Sequence, residues 1–224
     1  VLFRSEDQDL SKDQYFEICR IIADGLQAAH EQGIIHRDVK SSNIMITDKG
    51  RVKILDFGIA GLMEAADFHV TGEQTGTATF MAPELFVGLP ATFQSEIWAY
   101  GIVLYQLYSK KLPFDGVYQQ AISYSIMHEE PTPIEELVPE IPEAIASIIT
   151  KCLQKDREDR YESFGEILEE LDRHKNETQT IIKEVESGLS GKQKVTVLSV
   201  IGVLTAAILF MVMEGGFFVG GIVE

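Results

Sequence analysis

Cysteine is scarce in this chain: Cys19 and Cys152 are the two among 224 residues. That scarcity excludes a disulfide framework of the kind that staples small secreted domains. Two thiols so far apart in sequence, each on an apolar helical stretch, are expected to be reduced, buried and unrelated. Cations are also few, 19 Lys and Arg against 35 Asp and Glu, for a formal net charge of −16. Nucleic-acid binders displace phosphate counterions with clustered Lys and Arg, so no nucleic-acid partner is expected. Acidity of this degree serves solubility and suits a basic protein partner. His30, His69, His128 and His174 show no metal-ligand spacing, so nothing argues for zinc. Internal repeats and low-complexity tracts are missing too.

What is present fits one domain with an appendage: 45% hydrophobic and 24% charged residues supply an ordinary globular core and surface. Ser11-Lys12-Asp13-Gln14 forms a capping-box pattern, and Tyr15, Ile18, Ile22, Leu26 and Ala29 then recur at helical spacing until Gly33. The apolar runs Ile44–Ile46 and Val52–Leu55 flank Thr47-Asp48-Lys49-Gly50 and predict a small β-hairpin. From Ser95 to Ser109 apolar side chains cover nearly every face, as in a fully buried helix, and Leu112-Pro113-Phe114 ends that unit. Weaker helices are predicted around 117–128, 142–154 and 163–174, with the Pro-rich stretch Pro131–Pro142 between the first two.

Three segments carry chemistry. His36-Arg37-Asp38-Val39-Lys40-Ser41-Ser42-Asn43 and Asp56-Phe57-Gly58 supply an aspartate able to aim a hydroxyl, a lysine able to offset phosphate charge, and two oxygen donors of the kind Mg²⁺ prefers. Gly76-Thr77-Ala78-Thr79-Phe80-Met81-Ala82-Pro83-Glu84 follows. This ordered set resembles a eukaryotic-type (Hanks-type) Ser/Thr protein kinase over about residues 6–174, and resembles its C-terminal lobe alone. The fold it implies is protein-kinase-like: a mainly α C-terminal lobe with short β-hairpins.

The resemblance implies roles. Asp38 is the catalytic base, assisted by Lys40, and Thr77 bonds that pair and helps select Ser/Thr hydroxyls. Lys40, Asn43, Met45 and Asp56 contact ATP, with Met45 under the adenine or simply part of the hairpin core. Asn43 and Asp56 hold Mg²⁺. Arg37 pairs with a phosphate on Thr71 or Thr75 in an activation loop over 59–81, where Thr77 and Thr79 are also placed. His36, Gly58, Glu84, Glu96 and Arg160 are structural, Glu84 and Arg160 as a buried bridge. Glu96 stands where the family usually has Asp capping the catalytic-loop backbone, and its extra methylene shifts the carboxylate by about an ångström. Ala78 for Pro and Phe80 for Tyr are milder departures.

The family's smaller lobe carries a Gly-rich loop, a strand lysine and a helix glutamate. No G-x-G-x-x-G or V-A-I-K-like strand precedes His36, so this chain is expected to be a piece of a longer enzyme, inactive by itself. Val1–Ser5 matches what a sequencing-adapter remnant encodes and is set outside the fold, an ordinary strand or hinge tail being the alternative.

Residues 175–194 are polar and predicted to link to 195–213, nineteen residues without a charge. At 1.5 Å per residue these span roughly 28 Å, one hydrocarbon core, and predict a transmembrane helix. Lys192 and Lys194 precede the span and no cation follows, which places the kinase region in the cytosol and 214–224 outside. The order of kinase region, linker and span resembles bacterial receptor Ser/Thr kinases at the cell membrane. Implied partners are protein substrates, the membrane, and a second copy for autophosphorylation. Two other functions compete: a pseudokinase that binds nucleotide or partners without transfer, and a small-molecule phosphotransferase. The latter ranks last because such enzymes lack the Ala-Pro-Glu segment and its arginine.

Overall fold

The computed structural model describes residues 11–47, 51–57 and 78–188. The chain divides into two units, 1–173 and 174–224; the first holds the candidate site.

Helix α1, Lys12–Glu31, starts on the anticipated capping box: the Gln14 amide donates to the Ser11 hydroxyl and the Ser11 amide to the Gln14 side chain. Its buried face is Ile18, Cys19, Ile22, Ala23, Leu26, Ala29 and His30. Gly33, at φ 70°, turns the chain back after the helix, its amide donating to His30 O at 2.8 Å. Only a residue without Cβ takes that conformation freely.

A 3₁₀ turn, Ser41–Asn43, leads into strands β1 (Ile44–Ile46) and β2 (Val52–Ile54). They pair antiparallel with Ile44 opposite Ile54, Met45 opposite Lys53 and Ile46 opposite Val52. The Thr47 amide closes the ladder on Arg51 O at 2.9 Å. The hairpin's turn, 48–50, lies outside the described residues.

Short helix α2, Pro83–Phe86, is followed by α3, Phe93–Ser109, with Thr92 and Ser95 forming its own capping box. Helix α3 is the core of the unit, buried without interruption from Ser95 to Tyr105. Such a helix is stable only inside a shell of others, and α1, α5 and α6 pack against it. Tyr100 ties α3 to α1 by donating to Cys19 O at 3.0 Å. Trp98 stacks on Phe114 at 5.6 Å. Ser109 ends the helix, and Lys110 takes the left-handed cap at φ 60°.

The remaining helices are α4 (Gln119–His128), α5 (Ile134–Leu137), α6 (Glu143–Cys152) and α7 (Phe164–Gly188). Helix α5 is not among the helices the sequence predicts: Pro133 precedes it, as Pro142 precedes α6, and proline is tolerated just before a helix begins. Helix α7 runs past its expected end near 174 to Gly188, so the start of the predicted linker, 175–188, is helical. Polar composition suggests a linker, yet no Pro or Gly interrupts 166–187 and most of its residues are good helix formers. Cys19 and Cys152 are free, buried thiols, and burial pushes Cys19 up to about 12.

Among the described residues no helix is long and apolar enough to cross a membrane. Residues 195–213 lie outside them, as do Val1–Ser5.

Candidate active site

The segment from His36 to Asn43 bridges the end of α1 and the start of β1, and is held from the end of β2 and from α3. His36 is fully buried. Its Nε2 donates to Leu55 O at 2.9 Å, and its Nδ1 accepts the Asp38 amide at 3.3 Å. Those two roles fit one neutral tautomer. The ring also meets Phe57 at 4.5 Å between centroids. Arg37 sits at φ 67°, a left-handed conformation that costs a non-glycine residue about 1–2 kcal/mol. Its amide donates to Glu96 Oε1 on α3 at 2.5 Å. Ser41 donates to the Gln106 side chain, also on α3.

Asp38 is the focus. Its Oδ2 accepts from Asn43 Nδ2 at 2.9 Å and pairs with Lys40 Nζ at 2.8 Å. Asn43 Nδ2 also donates to Asp38 O at 2.8 Å. Both amide hydrogens of Asn43 are therefore spent on Asp38, which leaves its Oδ1 oxygen available to a cation. The Leu55 amide donates to Asn43 O at 2.7 Å, extending the β1–β2 ladder by one rung and bringing the segment ahead of Asp56 beside Asn43. Asp56 is exposed and left-handed, at φ 58°. An amide oxygen and a carboxylate from adjoining segments are the hard donors Mg²⁺ takes, so the residues present fit that ion. Met45, in β1, is half-buried.

Beside Asp38 lies a pocket of about 40 Å³ lined by Arg37, Asp38, Phe80, Met81 and Leu85 among others. Glu84 of α2 meets Arg160 in a fork: Nη1 to Oε1 and Nη2 to Oε2, each 2.9 Å. Arg160 donates further to Gln94 O, Gln154 O and Lys155 O, so all five of its N–H groups are used. Ser95 adds a hydroxyl to Glu84 Oε1 at 3.0 Å. Burial alone would raise the Glu84 carboxyl, but the hydrogen bonds and charge of Arg160, with Ser95, outweigh it and hold its pKa below the ordinary value.

The sequence profile of the protein kinase domain matches residues 2–186. The chain belongs to the protein kinase family. A probable serine/threonine-protein kinase of Clostridium acetobutylicum is 37% identical over 155 residues, 69% of this chain and 24% of that protein. The probable serine/threonine-protein kinase PknB of Lactococcus lactis is 34% identical over 167 residues, 75% of this chain and 27% of its own length. The serine/threonine-protein kinase PknA of Mycobacterium tuberculosis is 41% identical over 140 residues, 62% of this chain and 32% of its own. The kinase segment thus spans about a quarter of the length of the first two relatives.

Of the kinase residues expected from sequence, Arg37, Asp38, Lys40 and Asn43 sit together on one loop. Glu96 reaches that loop from α3, and Asp56 follows β2 next to it. Gly58, Thr71, Thr75 and Thr77 lie outside the described residues. Thr79, expected among the threonines of an open loop, is instead buried, between the equally buried Ala78 and Ala82. Despite its extra methylene, Glu96 does reach the Arg37 amide. Sequence reading misses His30, whose Nε2 lies 2.7 Å from Glu96 Oε2. The two are 66 residues apart, and the one local sign is a histidine on the buried face of α1.

Proposed function

We propose that this chain supplies the larger lobe of a membrane-anchored Ser/Thr protein kinase that moves the terminal phosphoryl group of ATP to Ser or Thr of protein substrates. The observation that carries the reading is Asp38, held by Asn43 Nδ2 at 2.9 Å and paired with Lys40 Nζ at 2.8 Å. Asp38 accepts and orients the substrate hydroxyl, taking its proton at Oδ as the oxygen attacks. Lys40 stands close enough to Asp38 to meet negative charge gathering on the transferring group. Asn43 and Asp56 would hold Mg²⁺, which when bound neutralises phosphate charge. Met45 would lie beneath the adenine.

In this reading residues 6–174 are the kinase region, Arg37 receives a phosphate on Thr71 or Thr75 that orders the activation segment, and Thr77 bonds the Asp38–Lys40 pair. The uncharged stretch 195–213, with Lys192 and Lys194 before it, anchors the enzyme in the cell membrane with the kinase region in the cytosol. A second copy is the partner for autophosphorylation.

The experiment is phosphoamino-acid analysis of a basic protein incubated with Mg-ATP and the complete kinase carrying this chain. Phosphoserine and phosphothreonine are expected, falling about 10³-fold with Asp38→Ala. The 224-residue chain alone, without a Gly-rich loop or strand lysine, is expected to give none. Nucleotide binding without transfer by the complete protein would favour the pseudokinase instead.

A further inference from the structure

A pocket of about 390 Å³ lies between the segment Pro131–Pro133, α5 and the C-terminal half of α6. Tyr105, Ile149 and Leu153 give it an apolar lining, and the exposed Glu130 and Glu135 stand at its edge. Its outer wall is pinned: the Tyr105 hydroxyl of α3 donates to Thr132 O at 2.9 Å, and the proline on either side fixes its own φ. A wall held in this way is formed before any ligand arrives. The pocket opens into a groove of about 570 Å³ along the exposed face of α6, the two sharing Glu135, Thr150 and Gln154. Around this cleft Glu130, Glu135, Glu143 and Asp159 oppose a single cation, Lys151, whose amine lies over the Tyr161 ring at 4.0 Å. Among the described residues the side chains of Glu135, Glu143 and Asp159 have no ion pair or hydrogen bond. Small molecules need most of their surface enclosed, which an open groove does not give. An extended peptide can instead set one side chain in the pocket and run along α6. From Glu143 to Lys151 the helix rises about 12 Å, the length of about four extended residues. The carboxylates select a cationic occupant, and a net charge of −16 works against a second copy of this chain.

We propose that the cleft between α5 and α6 is a docking site for an extended basic segment of a protein substrate. One apolar side chain of that segment fills the pocket, and Lys or Arg within about four residues of it meet Glu130, Glu135, Glu143 and Asp159. The cleft shares no residue with the pocket beside Asp38, so it governs how tightly a substrate is held and leaves the transfer step alone. That the partner is a substrate rests on the kinase reading above.

Fluorescence anisotropy on the complete kinase, without nucleotide, tests the cleft itself. The probe is a labelled peptide of four lysines, one leucine and four more lysines. Glu135→Lys combined with Glu143→Lys is expected to weaken its binding at least about tenfold. Serine in place of the leucine is expected to weaken it at least about fivefold. Asp24→Lys combined with Glu169→Lys reverses two exposed carboxylates outside the cleft, on α1 and α7, and is expected to change binding less than about twofold. Equal weakening by the two pairs, or equal binding of the serine peptide, overturns the proposal, because the acidic surface as a whole would then be the attractant. A parent that does not bind the peptide overturns it, and so does a parent dimer that the peptide dissociates, since a second copy would then hold the cleft. Should the lysine pair fail to fold, Glu135→Gln with Glu143→Gln repeats the comparison, with a loss of about threefold expected.

Transfer then tests the partner's role. Fusing the same peptide to a protein with a Ser/Thr acceptor is expected to lower that protein's KM about tenfold with the parent kinase, kcat staying within about twofold. With Glu135→Lys and Glu143→Lys the fusion is expected to bring less than about a twofold gain. A gain that survives those substitutions, or none with the parent, overturns the docking role. A parent that phosphorylates neither protein counts against the kinase reading alone, and the anisotropy still decides whether the cleft takes a basic segment.

Discussion

Arg160 shows how one side chain can be indispensable without touching the chemistry. Every N–H of its guanidinium is matched, and the fork to Glu84 is buried. Lysine offers three donors around a point and cannot reproduce that fork. Arg160→Lys and Arg160→Ala are both expected to destabilise the lobe, the alanine by about 3–5 kcal/mol, because Glu84 is left as a buried, unpaired charge. Urea titration checks this. The same pair has a pH signature. The folded pKa of Glu84 lies below its ordinary value of 4.5, so its contribution is complete above that pH and is lost as pH falls through the lower folded value. Glu84→Gln is expected to remove that acid limb from a plot of stability against pH.

At the scale of elements, α3 and α6 pack so closely that Gly101 has no room for a methyl. A Cβ there would lie 2.6 Å from Cys152 Cβ and 3.0 Å from Leu153 Cδ2. Alanine in a helix interior ordinarily gains up to about 1 kcal/mol over glycine. Here overpacking, typically about 1–3 kcal/mol, is expected to win, so Gly101→Ala lowers the urea midpoint with the slope unchanged. Elements governed by local rules are legible in the sequence: the Ser11 capping box, the 44–54 hairpin and the all-round apolar α3 each follow from residues within a few positions. Helix α5 is hidden because prolines read as breaks, although they sit just ahead of helices. The extension of α7 is hidden because polar residues that favour helix read as a linker. Within the site, the Asp38 to Asn43 geometry is local and legible, whereas the His30 contact depends on α1 and α3 meeting, which no short window of sequence encodes.

For the whole molecule, the scaffold gives the loop its precision. Helix α3 caps it through Glu96 and Gln106, Leu55 at the end of β2 holds His36 and Asn43, and α1 delivers the chain into it. The membrane anchor proposed for 195–213 rests on composition alone. Deleting those residues from the complete kinase is expected to move it from the membrane pellet to the soluble fraction while transfer to a soluble substrate stays within about threefold. A pelleted variant that only detergent releases would contradict that anchor.

Asp38 and Asn43, joined at 2.9 Å, are expected to work as one unit in transfer. Single-turnover phosphotransfer by the complete kinase with Asp38→Asn, Asn43→Ala and the double substitution tests it most directly. Losses of about 10³-fold and about 10²-fold are expected for the single changes, with the double variant little worse than Asp38→Asn alone, since groups that act together are not additive. Losses that multiply in full, or transfer by Asp38→Asn within about threefold of the parent, would contradict it.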